Sequence, residues 1–146
     1  MKHLKPILTL AFLSVLLTEV LVLNLSPSRI IAEPLLFPFL LVIGYGLPVI
    51  LIRELALRWQ LNLLGILILG LAYGIYNEGI WAKTFFLEDN LPVSTFNNYG
   101  FAWGINFPWS ASIMIWHALH SVLYPLSIVA FLLPKYYLIL LYAYYI

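Results

Sequence analysis

Apolar residues dominate four long stretches of the chain, 7–23, 35–52, 63–82 and roughly 108–133, with polar residues gathered between them. A helix needs about 20 predominantly apolar residues to cross the hydrocarbon core of a bilayer, so each stretch predicts a membrane span. Pro38 and Pro48 interrupt the second stretch and Pro125 the fourth. Neighbouring helices can satisfy the carbonyls that prolines free, which predicts kinks near Pro48 and Pro125 rather than breaks. After Pro134 the chain closes with KYYLILLYAYYI. At 1.5 Å per residue such a helix reaches only about 18 Å, so 136–146 is expected to be a partial fifth span in which the chain stops. The expected fold is all-α: one polytopic transmembrane helix bundle over residues 1–146, with four spans and a partial fifth. The first stretch follows the basic start MKHLKP, but EVLVLNLSPS after it offers no small-x-small cleavage site. An uncleaved span is therefore expected there.

Composition leads to the same class. The chain is 64% hydrophobic and 9% charged, with a mean hydropathy of +1.00. A soluble domain carries about 25% charge, so lipid is the expected solvent. A net charge of +1 and the lack of a basic stripe speak against a nucleic-acid partner. The absence of cysteine excludes disulfides, thiolate zinc sites and cysteine nucleophiles.

Positive residues favour the cytoplasmic side of a membrane. A cytoplasmic N-terminus places Lys2, Lys5, Arg53, Arg58 and Lys135 inside, and only Arg29 and Lys83 outside. The predicted location is the cell membrane, multi-pass, with that orientation. Trp59 then marks the inner interface, and Trp81, Trp103 and Trp109 the outer one. The segment TFFLEDNLPVSTFNNYGFAWGIN joins spans three and four outside, and its aromatics are expected to lie on the bilayer or plug the bundle.

Against this background the ionisable residues inside the spans carry the functional signal, because such residues are costly in lipid and usually partnered. Asn77 and Glu78 follow Gly70 and Gly74 in the third span. The two glycines form a small-xxx-small pair suited to close helix packing. Glu78 lies four residues beyond Gly74, hence on the same face, pointing into the bundle. In WHALHSVLYP, His117 and His120 are three apart, with Ser121 and Tyr124 continuing their face. A Glu78–His117 or Glu78–His120 hydrogen bond is expected at matching depth. Such a pair can activate water or relay a proton, or it can simply join two helices. Glu78, His117 and His120 are therefore the candidate catalytic residues, and Asn77, Glu19 and Tyr124 complete the polar cluster. Two histidines and a Glu could in principle ligate zinc, but HExxH is absent; no metal or cofactor is predicted. Glu54 and Arg58 are expected to pair as i, i+4 neighbours, and Asn24-Leu25-Ser26 reads as a glycosylation sequon.

The succession LIREL-x-x-RW, LGLAYGIYNEG, KTFF, GINFPWS and WHALHSVLYP resembles an uncharacterised family of prokaryotic multi-pass membrane proteins. Its central motif reads AYGI or YGL followed by x-EEG, and a later helix carries a His, then Ser, and ends in Pro. The resemblance covers roughly residues 19–134 and implies the fold but no activity. A more distant resemblance is to the CAAX-processing and bacteriocin-processing intramembrane proteases, which use EExxxR and separate histidines. That resemblance implies that Glu78 is the second acidic residue and His117 or His120 its partner. Asn77 stands where the first Glu belongs, Ala82 where the Arg belongs, and Ile113 where a Phe precedes the His by four. These departures remove the first base of the protease pattern.

Three functional classes follow. The first is a non-enzymatic membrane subunit or small transporter whose polar cluster packs helices or relays protons. The second is an intramembrane hydrolase of the CAAX-protease type. The third is a structural component that binds a partner through Phe85, Phe86 and the 96–104 loop. The expected partners are the lipid bilayer and a membrane protein or second copy of the chain.

Overall fold

The computed structural model describes residues 4–21, 27–32, 34 and 36–133. Lys2, Asn24, the Arg29 side chain, Lys135 and the predicted partial span 136–146 lie outside the described residues. Helix α1 runs Leu4–Val15 and continues through a wider, π-helical stretch, Leu16–Val20. A short α2, Pro27–Ala32, precedes α3, which comprises Leu36–Leu41, a π-helical stretch Val42–Gly46, and Leu47–Arg58. Helix α4 is Leu63–Gly74 followed by π-helical Ile75–Trp81. Helix α5 is Phe107–Trp116, π-helical His117–Leu123 and Tyr124–Leu132.

Among the described residues three helices are long and apolar enough to cross a membrane: Pro38–Arg58, Leu63–Trp81 and Phe107–Leu132, of 21, 19 and 26 residues. Helix α1 is not among these three. The described part of the molecule is mostly helical. Between α4 and α5 lie two 3-10 turns, Thr84–Phe86 and Ser94–Phe96, and a small hairpin of β1, Phe101–Ala102, and β2, Ile105–Asn106. Phe101 pairs with Asn106 and Ala102 with Ile105, antiparallel. Trp103 and Gly104 form the turn, both with positive φ.

Local chemistry sets the starts of the two helices that carry the site. Asn62 accepts the Gly65 N–H at 3.0 Å and caps α4. Asn106 accepts the Trp109 N–H at 3.1 Å and caps α5, whose first turn contains Pro108. On α1 the buried positions Pro6, Leu10, Ser14 and Thr18 recur every four residues and form one face. The main core joins Leu10 of α1, Val49, Ile52 and Ala56 of α3, Ile66 and Tyr73 of α4, and Val122, Leu126 and Val129 of α5. A second cluster, Phe85, Leu91 and Trp109, seats the loop against α5. Trp109 is thus buried in the loop's own core rather than facing outward. Its indole N–H has a protein partner, Thr84 Oγ1 at 2.8 Å.

The proline positions are explained by their partners. Pro48 and Pro125 each follow a π-helical stretch by two residues, and each lacks the N–H that an α-helix would donate four residues back. Those two acceptors are the carbonyls of Gly44 and Ser121. Tyr73 on α4 donates its hydroxyl to Gly44 O at 2.7 Å, and Ser14 on α1 donates to Ser121 O at 2.8 Å. Both freed carbonyls have become docking points for a neighbouring helix.

The expected Glu54–Arg58 pair does not form. Glu54 pairs instead with Arg53 Nη1. Arg58 ends its helix exposed, whereas the Arg53 side chain is only 16% exposed and requires a counterion close by.

Candidate functional site

Close packing of α4 on α5 brings the polar residues together. A Cβ on Gly70 would lie 2.9 Å from Ala118 Cα, and one on Gly74 would lie 2.8 Å from Met114 Cα. Any side chain at either position would push the backbones apart, so the two glycines set the interhelical distance. One turn beyond Gly74, Glu78 Oε1 meets His117 Nε2 at 3.0 Å. His117 is 1% exposed.

From this pair hydrogen bonds run in both directions. His117 Nδ1 lies 3.0 Å from Ser121 Oγ, Ser121 Oγ lies 2.9 Å from Thr18 Oγ1, and Thr18 donates to Ser14 O at 2.7 Å. On the other side Thr84 donates to Glu78 Oε2 at 2.5 Å and accepts from Trp109 Nε1. Asn77 Nδ2 lies 3.4 Å from both Tyr73 Oη and His117 Nε2. One connected chain, from Trp109 to Ser14, therefore links the loop, α4, α5 and α1.

A second arm comes from α1 and α3. Glu19 is buried and accepts a hydrogen bond from the Tyr45 hydroxyl. The Tyr45 ring stacks on His117 with centroids 5.9 Å apart, and Tyr73 meets the same imidazole edge-on at 5.4 Å. His117 is therefore enclosed by two aromatic rings, a carboxylate and a hydroxyl. No buried side-chain nitrogen or oxygen among the described residues lacks a partner.

Two sequence candidates lie elsewhere. His120 stacks face-on against Trp116, centroids 3.7 Å apart, and its Nδ1 donates to Trp116 O at 3.2 Å. Tyr124 meets His120 edge-on at 5.0 Å and is 45% exposed. Neither joins Glu78. The expectation of a shared face assumed α-helical turns, but His117–Leu123 is π-helical. Its wider turn rotates the chain less per residue, so a residue three positions on falls further short of the starting face, which turns His120 out of the bundle. It also keeps residues four apart nearly in line, so Trp116, His120 and Tyr124 stack along the outer side.

Ser14, Thr18, Tyr45, Tyr73 and Thr84 were not singled out in the sequence. The available signals were the four-residue spacing of Leu10, Ser14 and Thr18, and the prolines four residues after Gly44 and Ser121.

The site's chemistry is that of an enclosed acid–base pair. Each carboxylate oxygen of Glu78 already accepts a hydrogen bond, and Ser121 Oγ is shared between Thr18 and His117 with the residue 0% exposed. Among the described residues no three His, Asp or Glu side chains converge in a group able to hold a metal ion. A cavity of about 490 Å³ lies alongside, between α3 and α4, lined by Leu47, Leu51, Leu69, Tyr73 and Tyr76 among others. It touches the aromatic wall of the cluster, and neither Glu78 nor His117 lines it.

A search of curated proteins and of solved structures finds no match. A family model does match, over residues 8–141, and it describes an uncharacterized membrane protein family. That match lends no support to the processing-protease resemblance.

Proposed function

The chain belongs to this uncharacterized membrane protein family, and from that premise we propose that it is a non-enzymatic membrane component, a subunit or small transporter, whose Glu78–His117 pair clamps the bundle. The supporting observation is the hydrogen-bond chain Trp109–Thr84–Glu78–His117–Ser121–Thr18–Ser14, which engages three helices and the loop. A hydrolytic site would need a carboxylate or hydroxyl free to meet water and substrate. Here those groups are spent on one another. On this reading α1 is a fourth crossing, since it delivers Ser14, Thr18 and Glu19 to the same layer as Glu78 and His117. Lys5, Arg53 and Arg58 then mark the cytoplasmic end and Lys83 the opposite one.

Thermal unfolding in detergent tests the clamp, with Glu78→Gln, His117→Ala and the double variant compared with the parent. His117→Ala strands a buried carboxylate and is expected to cost about 3 kcal/mol or more. The double variant should cost clearly less than the sum of the two single changes. Unchanged stability in both single variants would remove the clamp reading. Peptide cleavage by the parent that disappears in a stably folded Glu78→Gln variant would establish a hydrolase in its place.

A further inference from the structure

His120 and Tyr124 are left without a role by the clamp, and their surroundings are unusual for a membrane span. They sit in the interior of the 26-residue helix Phe107–Leu132. At 1.5 Å per residue His120 lies about 20 Å from one end and Tyr124 about 12 Å from the other. Both face away from the core: the buried positions of this stretch are His117, Ala118, Ser121, Val122, Pro125 and Leu126. Because Nδ1 of His120 donates to a carbonyl, the neutral ring presents Nε2 as a bare acceptor. Neither that nitrogen nor the Tyr124 hydroxyl has a hydrogen-bond partner among the described residues. Hydrocarbon offers none, and a half-buried imidazole left with a bare acceptor at this depth is costly.

We propose that this face of α5 docks against a second copy of the chain, with His120 accepting from Tyr124 of the partner subunit and Tyr124 donating to His120 of the partner subunit. The face itself points to that occupant. It carries one acceptor and one donor a single turn apart, and a two-fold axis along the membrane normal sets each one turn from its mate in depth, an offset of about 6 Å that the Tyr124 side chain, leaning toward the helix N-terminus, spans. Exposed Ser112 and Ser127 flank the pair on the same side of the helix. The stack on Trp116 holds the imidazole in one orientation before the second copy arrives.

The absence of cysteine makes the test direct. Single cysteines are introduced as Ser112→Cys, Ser127→Cys and, on exposed positions of other helices, Leu64→Cys and Leu8→Cys. Two differently tagged forms are co-expressed and oxidised in native membranes. Disulfide-linked dimers carrying both tags are expected from Ser112→Cys and Ser127→Cys and not from the other two. Adding Tyr124→Phe, which keeps the ring, should lower the dimer yield at limiting protein-to-lipid ratio by roughly tenfold, and His120→Ala should do the same. Thermal unfolding of each variant separates loss of docking from loss of fold. Equal cross-linking at all four positions, no mixed-tag dimer at Ser112 or Ser127, or adducts with other proteins only would each overturn the proposal.

Discussion

Ser121 carries two connections at once. Its hydroxyl stands between His117 and Thr18, and its carbonyl, released by Pro125, accepts from Ser14. A substitution that keeps the backbone but removes the hydroxyl touches only the first connection. Ser121→Ala is therefore expected to cost about 1–3 kcal/mol, the penalty of leaving His117 Nδ1 and Thr18 Oγ1 short of a buried partner. Thermal unfolding measures it, and Ser121→Thr should recover part of the loss. His117 differs in kind, since its ring also packs against both Tyr45 and Tyr73. Its truncation removes packing as well as charge pairing, so His117→Ala should exceed Ser121→Ala. Glu78 and its placement opposite a histidine were legible from the sequence, because a carboxylate four residues beyond a glycine face has one sensible direction. Which histidine it meets was not. Spacing alone presumes the α-helical period, and the deciding turn departs from that period.

At the scale of the element, π-helical stretches lie within α3 and α5 and follow the α-helical parts of α1 and α4, and each includes or adjoins a residue of the polar layer. Such wide turns re-aim side chains without ending a helix and are frequent where helices carry function. The prolines of α3 and α5 act with them by freeing carbonyls for Tyr73 and Ser14. The arrangement predicts a coupling between two residues on different helices. Pro48→Ala gives position 48 an N–H for Gly44 O, in competition with the Tyr73 hydroxyl. Tyr73→Phe is expected to cost about 1–2 kcal/mol in the parent and less than half of that in the Pro48→Ala background. A double-mutant cycle by thermal unfolding checks this, and equal costs in both backgrounds would refute it. Tyr73 escaped the sequence reading for a physical reason. Tyrosines are common near membrane interfaces, and its acceptor is a backbone carbonyl on another helix, which no side-chain motif records.

For the whole molecule, the loop between α4 and α5 is built onto the membrane layer. Thr84 hydrogen-bonds Glu78 on one side and Trp109 on the other, and Trp109 belongs to the cluster that seats Phe85 and Leu91. Thr84→Val should loosen the loop by about 1–2 kcal/mol, which corresponds to roughly tenfold faster limited proteolysis of the 87–100 segment, while the helical content is retained. The membrane class was legible from hydropathy alone, and among the described residues three of the four expected full spans appear as helices of sufficient length. The hairpin and the buried setting of Trp109 were not, because a polar, aromatic loop reads alike whether it lies on lipid or folds upon itself. The two proline-freed carbonyls also bear on how the protein is made. Gly44 O lacks its α-helical donor until α4 brings Tyr73, and Ser121 O takes its hydroxyl from the first helix in the chain. On the proposed reading of α1 as a fourth crossing, a nascent chain that has inserted α1 and α3 but not α5 holds Ser14 and Thr18 in lipid without Ser121. The first helix reaches its final hydrogen-bonded state only once the last described one has entered, so bundle closure is a late event of membrane insertion that joins the two ends of the described chain.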